Sequence, residues 1–338
     1  MSWTRRLAVA LCLLLTSPSL VAASALRNDS VASMGTGGLV LQRTTGIEMR
    51  SEDLYVSARE IRVRYKFYNR TDRDITTLVA FPMPLVTGRP ESDIGIDQTD
   101  PLVLTPFTTT VNGRRAATNV EQRAFVGEVE HTDLLRGLRV PLSPHRPETG
   151  PAILSLPRPQ IEMLIELGLV EDRSWTDAGV THADFAPLWT LKTMHYWNQV
   201  FPAGREISIN HRYTPAIGGS SGSAVGDPTM VGSESVIEYQ RRYCTDTAFV
   251  RAAERMRRRR LSLSETWIDY VLTTGANWAE PIGEFRLVVD KGSSRNLVSF
   301  CGEGVRKTGS TTFEIRRRNY TPTNDLSVLI VTGVRTPR

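Results

Sequence analysis

The sequence predicts a mainly β fold: two antiparallel, sandwich-like domains, the first with a small helical insertion and the second with one further helix. Three observations carry this expectation. Several separate runs alternate apolar and polar residues with period two, the pattern of a strand with one face in a core and one in water. The runs are short and are punctuated by Gly, Pro, Asn and Asp, which supply turns. Helical periods do not alternate with them, as they would in a parallel βαβ sheet.

The first 25 residues hold Arg5 and Arg6, the apolar run Leu7 to Leu15, and Ala23-Ser24-Ala25. Charged, apolar and small regions in that order make a secretory signal, so cleavage is expected after Ala25 and the mature protein is expected to be periplasmic or secreted. Cys12 lies inside the apolar run behind Leu11, not behind a small residue, which argues against a lipid anchor. No later apolar run reaches the roughly 18 residues that a membrane helix needs. Cleavage would remove two arginines and no acid, taking the formal charge from +5 to +3. So weak a bias argues against nucleic acid as a partner.

Residues 26–217 are expected to form the first β domain. Gly-Gly-Leu-Val-Leu-Gln from Gly37 and Ile-Glu-Met-Arg-Ser-Glu-Asp-Leu-Tyr-Val to Val56 are extended runs around the turn residues Thr44-Thr45-Gly46. The clearest pattern follows. Ile61, Val63, Tyr65 and Phe67 alternate with Arg62, Arg64 and Lys66. Asn69 to Asp74 supply turn chemistry, and Ile75, Thr77, Val79 and Phe81 resume the alternation, which reads as a β-hairpin. Asn112-Gly113 marks another, between Phe107–Val111 and Ala116–Phe125, because both residues tolerate positive φ. Across about 127–186 the period changes: Leu134, Leu135 and Leu138, then Ile161, Leu164, Ile165 and Leu169, follow helical spacing. Trp189–Phe201 and Arg205–Thr214, joined by Pro202-Ala203-Gly204, read as a further hairpin.

The run Gly218 to Ser223 suits a boundary, and 218–338 are expected to form the second β domain. It opens with an expected strand over Ser235–Tyr243. A helix follows over Asp246–Arg260, where Phe249, Ala252, Ala253 and Met256 share a face and Thr245 or Asp246 can cap it. Five extended runs complete it, beginning at Trp267, Ile282, Leu297, Thr311 and Leu326. After cleavage two cysteines remain, Cys244 and Cys301; an even pair in an oxidising compartment reads as one disulfide, against the alternative of two buried thiols.

Taken together, Gly38-Leu39-Val40-Leu41, Ser51-Glu52-Asp53-Leu54-Tyr55, Val79-Ala80-Phe81-Pro82 and Phe201-Pro202-Ala203-Gly204 with His211 and Tyr213 resemble a bacterial exported family, the domain of unknown function 4424. Asn28-Asp29-Ser30, Tyr243-Cys244, Asn277-Trp278, Pro281-Ile282-Gly283, Ser299-Phe300-Cys301 and Asn319-Tyr320-Thr321-Pro322 extend the likeness over nearly the whole mature chain. The resemblance implies export and a shared fold, and it brings no activity.

Candidate sites are few. Gly218-Gly219-Ser220-Ser221-Gly222 matches the GxSxG pattern of a hydrolase, with Ser220 as nucleophile, but no helical period follows it as a nucleophile elbow requires. Arg257, Arg258, Arg259 and Arg260, with Arg255, crowd one helix end. They either complement the helix dipole or form an anion-binding patch. If Pro202-Ala203-Gly204 closes a hairpin, residues whose numbers sum to 406 oppose each other. That would set His195 against His211 on the buried face. Two ligands alone make a poor metal site; a third from His182 or Asp184 would make it a metal or pH-responsive one. P-loop and HExxH signatures are missing, and no cofactor is expected. The leading expectation is a non-enzymatic envelope protein that binds a partner protein or polymer, the alternative a periplasmic hydrolase.

Overall fold

The computed structural model describes residues 30–35, 38–88, 94–95 and 107–335. The expected signal segment and its cleavage site lie outside them. The described chain is mainly β. It contains an eight-stranded sheet in the order Arg306–Lys307, Thr312–Tyr320, Ile282–Asp290, Ile47–Ser57, Ile61–Asn69, Glu206–Tyr213, Thr108–Val111, Arg114–Ala116. A seven-stranded sheet contributes Ile75–Pro82 and Thr190–Phe201 to the same core, and a five-stranded one contributes Leu261–Tyr270 and Leu326–Arg335.

One hydrophobic core joins the three sheets. It contains Val63, Tyr65 and Phe67 from the eight-stranded sheet, Val79, Phe81 and Trp197 from the seven-stranded sheet, and Ile268, Tyr270 and Val328 from the five-stranded one. The Tyr65 and Tyr270 hydroxyls, both buried, share a hydrogen bond of 3.0 Å. Residues on either side of the boundary expected at 217/218 therefore pack in one core. They also share a ladder, since Ile282–Asp290 pairs with Ile47–Ser57 in parallel. That pair needs close backbone approach. A Cβ on Gly283 would stand 2.6 Å from the carbonyl oxygen of Arg50, the extra residue of a bulge between Met49 and Ser51.

Two expected hairpins are not hairpins. Ile61–Asn69 pairs with Ile47–Ser57 and Glu206–Tyr213, whereas Ile75–Pro82 pairs with Thr190–Phe201 and Ser30–Gly35, in another sheet. Thr190–Phe201 and Glu206–Tyr213 likewise belong to different sheets, so the 406 register does not exist. Both connections are arches that carry the chain across the core. Alternation is satisfied equally well by strands side by side and by strands face to face, and here the buried amide of Asn69 ties the two arches together. It donates to Arg73 O and Phe201 O, each at 2.8 Å, while the Ala203 N–H donates to Asp74 Oδ1 at 2.8 Å. The Asn112-Gly113 turn forms as expected, with φ of +48° and +78°, and joins Thr108–Val111 to the short strand Arg114–Ala116; the rest of the expected second arm, Asn119–Val126, pairs instead with Thr190–Phe201 in the seven-stranded sheet.

The helical insertion is present as α1 (Thr132–Gly137), α2 (Thr149–Leu154) and α3 (Arg158–Glu166). Its apolar faces pack with Ala124, Phe185 and Trp189 in a second, smaller cluster. The expected strand over Ser235–Tyr243 is instead a helix, α4 (Glu234–Tyr243), followed by α5 (Thr247–Arg258). Among the described residues no helix is long and apolar enough to cross a membrane.

Candidate binding cleft

α4 and α5 are built by local signals. Ser233 accepts from the Val236 N–H and starts α4. Val236, Tyr239 and Tyr243 then recur at i, i+3 and i+7, and Cys244 ends the helix at φ +53°. Asp246 accepts from the Phe249 N–H at 2.7 Å and starts α5. Phe249 and Ala253 pack with Tyr243, Leu263, Leu329 and Val331, so α5 sits on the five-stranded sheet. Cys244 is bonded to Cys301, which follows the Leu297–Phe300 strand, and this is the expected disulfide.

Between the two helices and the 224–232 loop lies a cleft of about 650 Å³. Val225, Pro228, Val231, Val236, Ile237 and Val250 supply its apolar wall; Tyr239, Glu254, Arg257 and Arg258 are among its polar groups. Val231 is 81% and Ile237 57% exposed, so the wall is open to solvent. The loop is held on α5 by Arg257, whose guanidinium donates to the carbonyls of Ser223 and Val225 and lies 3.7 Å from the Asp227 carboxylate. Asp227 in turn accepts from the Thr229 N–H and hydroxyl. Those bonds first, and then the Arg257 charge, hold its carboxyl below the usual range. Tyr239 is fixed by donating to Glu265 Oε2 at 2.6 Å; burial, and next that bond, push its phenol above the usual value.

Gly226 fits the loop to the helix. Its φ is +69°, and a Cβ there would stand 2.7 Å from the Glu254 backbone nitrogen. Gly226→Ala is therefore expected to cost about 1–3 kcal/mol and to displace the loop, read as a lower denaturation midpoint and a loss of cleft binding. Unchanged stability would show that the loop does not seat on α5.

The arginines expected as one patch have different surroundings. Arg257 clamps the loop, Arg258 lines the cleft 3.6 Å from Glu254, Arg259 caps α5, and Arg260, at φ +58°, leads into the Leu261–Tyr270 strand. Ser220 ends the Ile217–Ser220 strand and accepts from the Gly222 N–H at 3.2 Å. The next helical turn begins only at Pro228, so the strand-to-helix elbow is missing there.

His195 and His211 both face the core, each 2% exposed. They reach it from opposite sheets, with the Phe107 ring stacked on each, at 4.0 Å and 5.1 Å between centroids. His211 Nδ1 shares a hydrogen bond of 3.0 Å with the Thr109 hydroxyl; His195 Nδ1 has no hydrogen-bond partner among the described residues. The third ligand considered for the pair is not beside it. His182 stands on an exposed hairpin, stacked on Trp175, and among the described residues no three His, Cys, Asp or Glu side chains converge.

Reading Ser235–Tyr243 as a strand hid the cleft. The signal was available in Ser233 as a cap and in the i, i+3, i+7 spacing of Val236, Tyr239 and Tyr243.

Fold and site together describe a multi-sheet β protein carrying an apolar cleft between two helices. The chain belongs to the family of the domain of unknown function (DUF4424), whose model matches residues 27–329. Among solved structures it is similar to a candidate nutrient-binding protein from Legionella pneumophila at 15% identity. That match covers 89% of this chain and 72% of the other, with a TM-score of 0.43. It is also similar to the M1 zinc metallopeptidase of Deinococcus radiodurans at 10% identity and a TM-score of 0.21, covering 86% of this chain and 43% of the enzyme. The chain thus spans less than half of that enzyme, and both likenesses are too distant to bear on function. No curated protein matches the chain.

Proposed function

We propose that this chain is an exported, non-enzymatic binding module that takes an apolar small molecule into the cleft between α4 and α5. The observation that carries this reading is the wall: valines, a proline and an isoleucine from two helices and a loop converge on about 650 Å³, within the size range of small-molecule sites. Clamps independent of any ligand hold the wall in place, the Arg257 bonds on one side and the disulfide at the end of α4 on the other. A pre-formed site loses less on binding than one that must be ordered. Export is supported by the Arg5, Leu7 to Leu15 and Ala23-Ser24-Ala25 pattern, and a disulfide suits an oxidising compartment. The envelope protein or polymer expected from sequence gives way in this proposal to a small ligand.

The test uses a neutral apolar dye, N-phenyl-1-naphthylamine, whose fluorescence rises out of water. Saturable binding is expected, weakened by about tenfold or more in Val236→Glu, which sets a charge into the wall. Absence of saturable binding, or equal affinity in a Val236→Glu protein of unchanged circular dichroism, would overturn the reading.

A further inference from the structure

We infer that the occupant of this cleft is a single-chain amphiphile with an anionic head, and that Arg258 is the residue that receives the head; the inference rests on the binding reading above. The argument begins with charge. Arg255, Arg257, Arg258, Arg259 and Arg260 crowd the C-terminal end of α5, and two of them, Arg257 and Arg258, line the cleft together with the carboxylates Asp227 and Glu254. The partial charge of a helix C-terminus is only about half an electron, so the dipole of α5 cannot account for the excess. The wall beyond is aliphatic. An apolar body with a negative end fits both the arginine-rich helix end and the aliphatic wall.

Among these arginines the geometry selects one. Arg257 already donates to two carbonyls and faces Asp227. Arg255 does not line the cleft, and Arg259 and Arg260 lie past the last turn of α5 and do not line it either. Arg258 does line it, and its partner is Glu254 one turn back, at 3.6 Å, with the two side chains 66% and 41% exposed. An exposed ion pair of this kind contributes about 1 kcal/mol or less. The head of a ligand can therefore replace Glu254 at small cost and accept two parallel N–H bonds from the guanidinium fork. Val236, Ile237 and Val250 would then cover the tail. A carboxylate and a phosphate monoester share this chemistry, so the source of the anion is a matter for the test.

The experiment is competition against N-phenyl-1-naphthylamine by four twelve-carbon amphiphiles, each below its micelle concentration: dodecanoate, dodecyl phosphate, dodecanol and dodecyltrimethylammonium. For the wild-type chain at least one anion is expected to compete about tenfold better than dodecanol, and whichever does so identifies the head. In Arg258→Gln the ratio of anion to alcohol affinity is expected to fall to about one; because both are measured on the same variant, the ratio is independent of any change in dye binding. Glu254→Gln, which removes the competing carboxylate, is expected to raise it. Equal competition by anions and dodecanol in the wild type, or a ratio that Arg258→Gln leaves intact, overturns this inference while the apolar cleft stands. A dye that does not bind at all overturns both.

Discussion

Removing the Cys244–Cys301 bond is expected to lower stability by about 4 kcal/mol. The cysteines are 57 residues apart, and releasing a closed loop of that length restores chain entropy to the unfolded state by roughly this amount. For a chain of this size the loss corresponds to a drop in melting temperature of about 6 °C, to be read by comparing the wild type with the Cys244→Ala/Cys301→Ala double variant. The effect should also reach the cleft. Cys244 ends α4, and near it Ser299 donates to the carbonyl of Tyr243 at 2.9 Å, so one covalent bond and one hydrogen bond hold that end of the helix to the Leu297–Phe300 strand. Dye affinity is therefore expected to weaken in the double variant. An unchanged melting temperature would mean that the α4 end is held without the disulfide.

Stability is expected to fall steeply as the pH drops from about 6.5 towards 4, because of His195. Burial first, and the nearby His211 second, push its pKa down to about 4. Between that value and the ordinary 6.5 the unfolded chain binds a proton on this residue and the native chain does not. Stability therefore rises with pH across this window and is level above it with respect to this group. The full difference is about 3 kcal/mol. The surroundings explain the direction. The ring is stacked on Phe107, and its Nδ1 has no hydrogen-bond partner among the described residues. His195→Phe keeps the stacked ring and removes the titration. Denaturant unfolding at pH 4.5 and 7 should show a smaller difference for the variant than for the wild type; identical differences would mean that His195 does not titrate against burial.

These histidines show how far sequence reasoning reached. Alternation correctly placed His195 and His211 on the buried face with Trp197, Phe201, Ile207, Ile209 and Tyr213, all of which lie in the main core. Their mutual geometry was wrong, because they meet across the core from two sheets instead of side by side in one. The helix over Thr247–Arg258 was legible because its cap, Asp246, and its apolar period agree. α4 was not: Val236, Tyr239 and Tyr243 are β-branched or aromatic, which suits a strand as well as a helix, and only the cap at Ser233 tips the balance. The cleft could not be seen without α4, since Val236, Ile237, Tyr239 and Gln240 of its lining come from that helix.

What the sequence determined by itself was local: which residues turn their backs on water, where turns fall, which family the chain resembles, and that Cys244 and Cys301 would pair. What only the tertiary structure decided was partnership. A strand's period of two states that one face is buried but carries no information about which sheet covers it, and a five-residue connection such as Arg70 to Asp74 can close a hairpin or arch over a core. Here the choice falls to contacts distant in sequence. Asn69 bonds Phe201 O, Tyr65 meets Tyr270, and Gly283 lets Ile282–Asp290 lie against Ile47–Ser57, so the arches and the shared core arise from pairs more than a hundred residues apart.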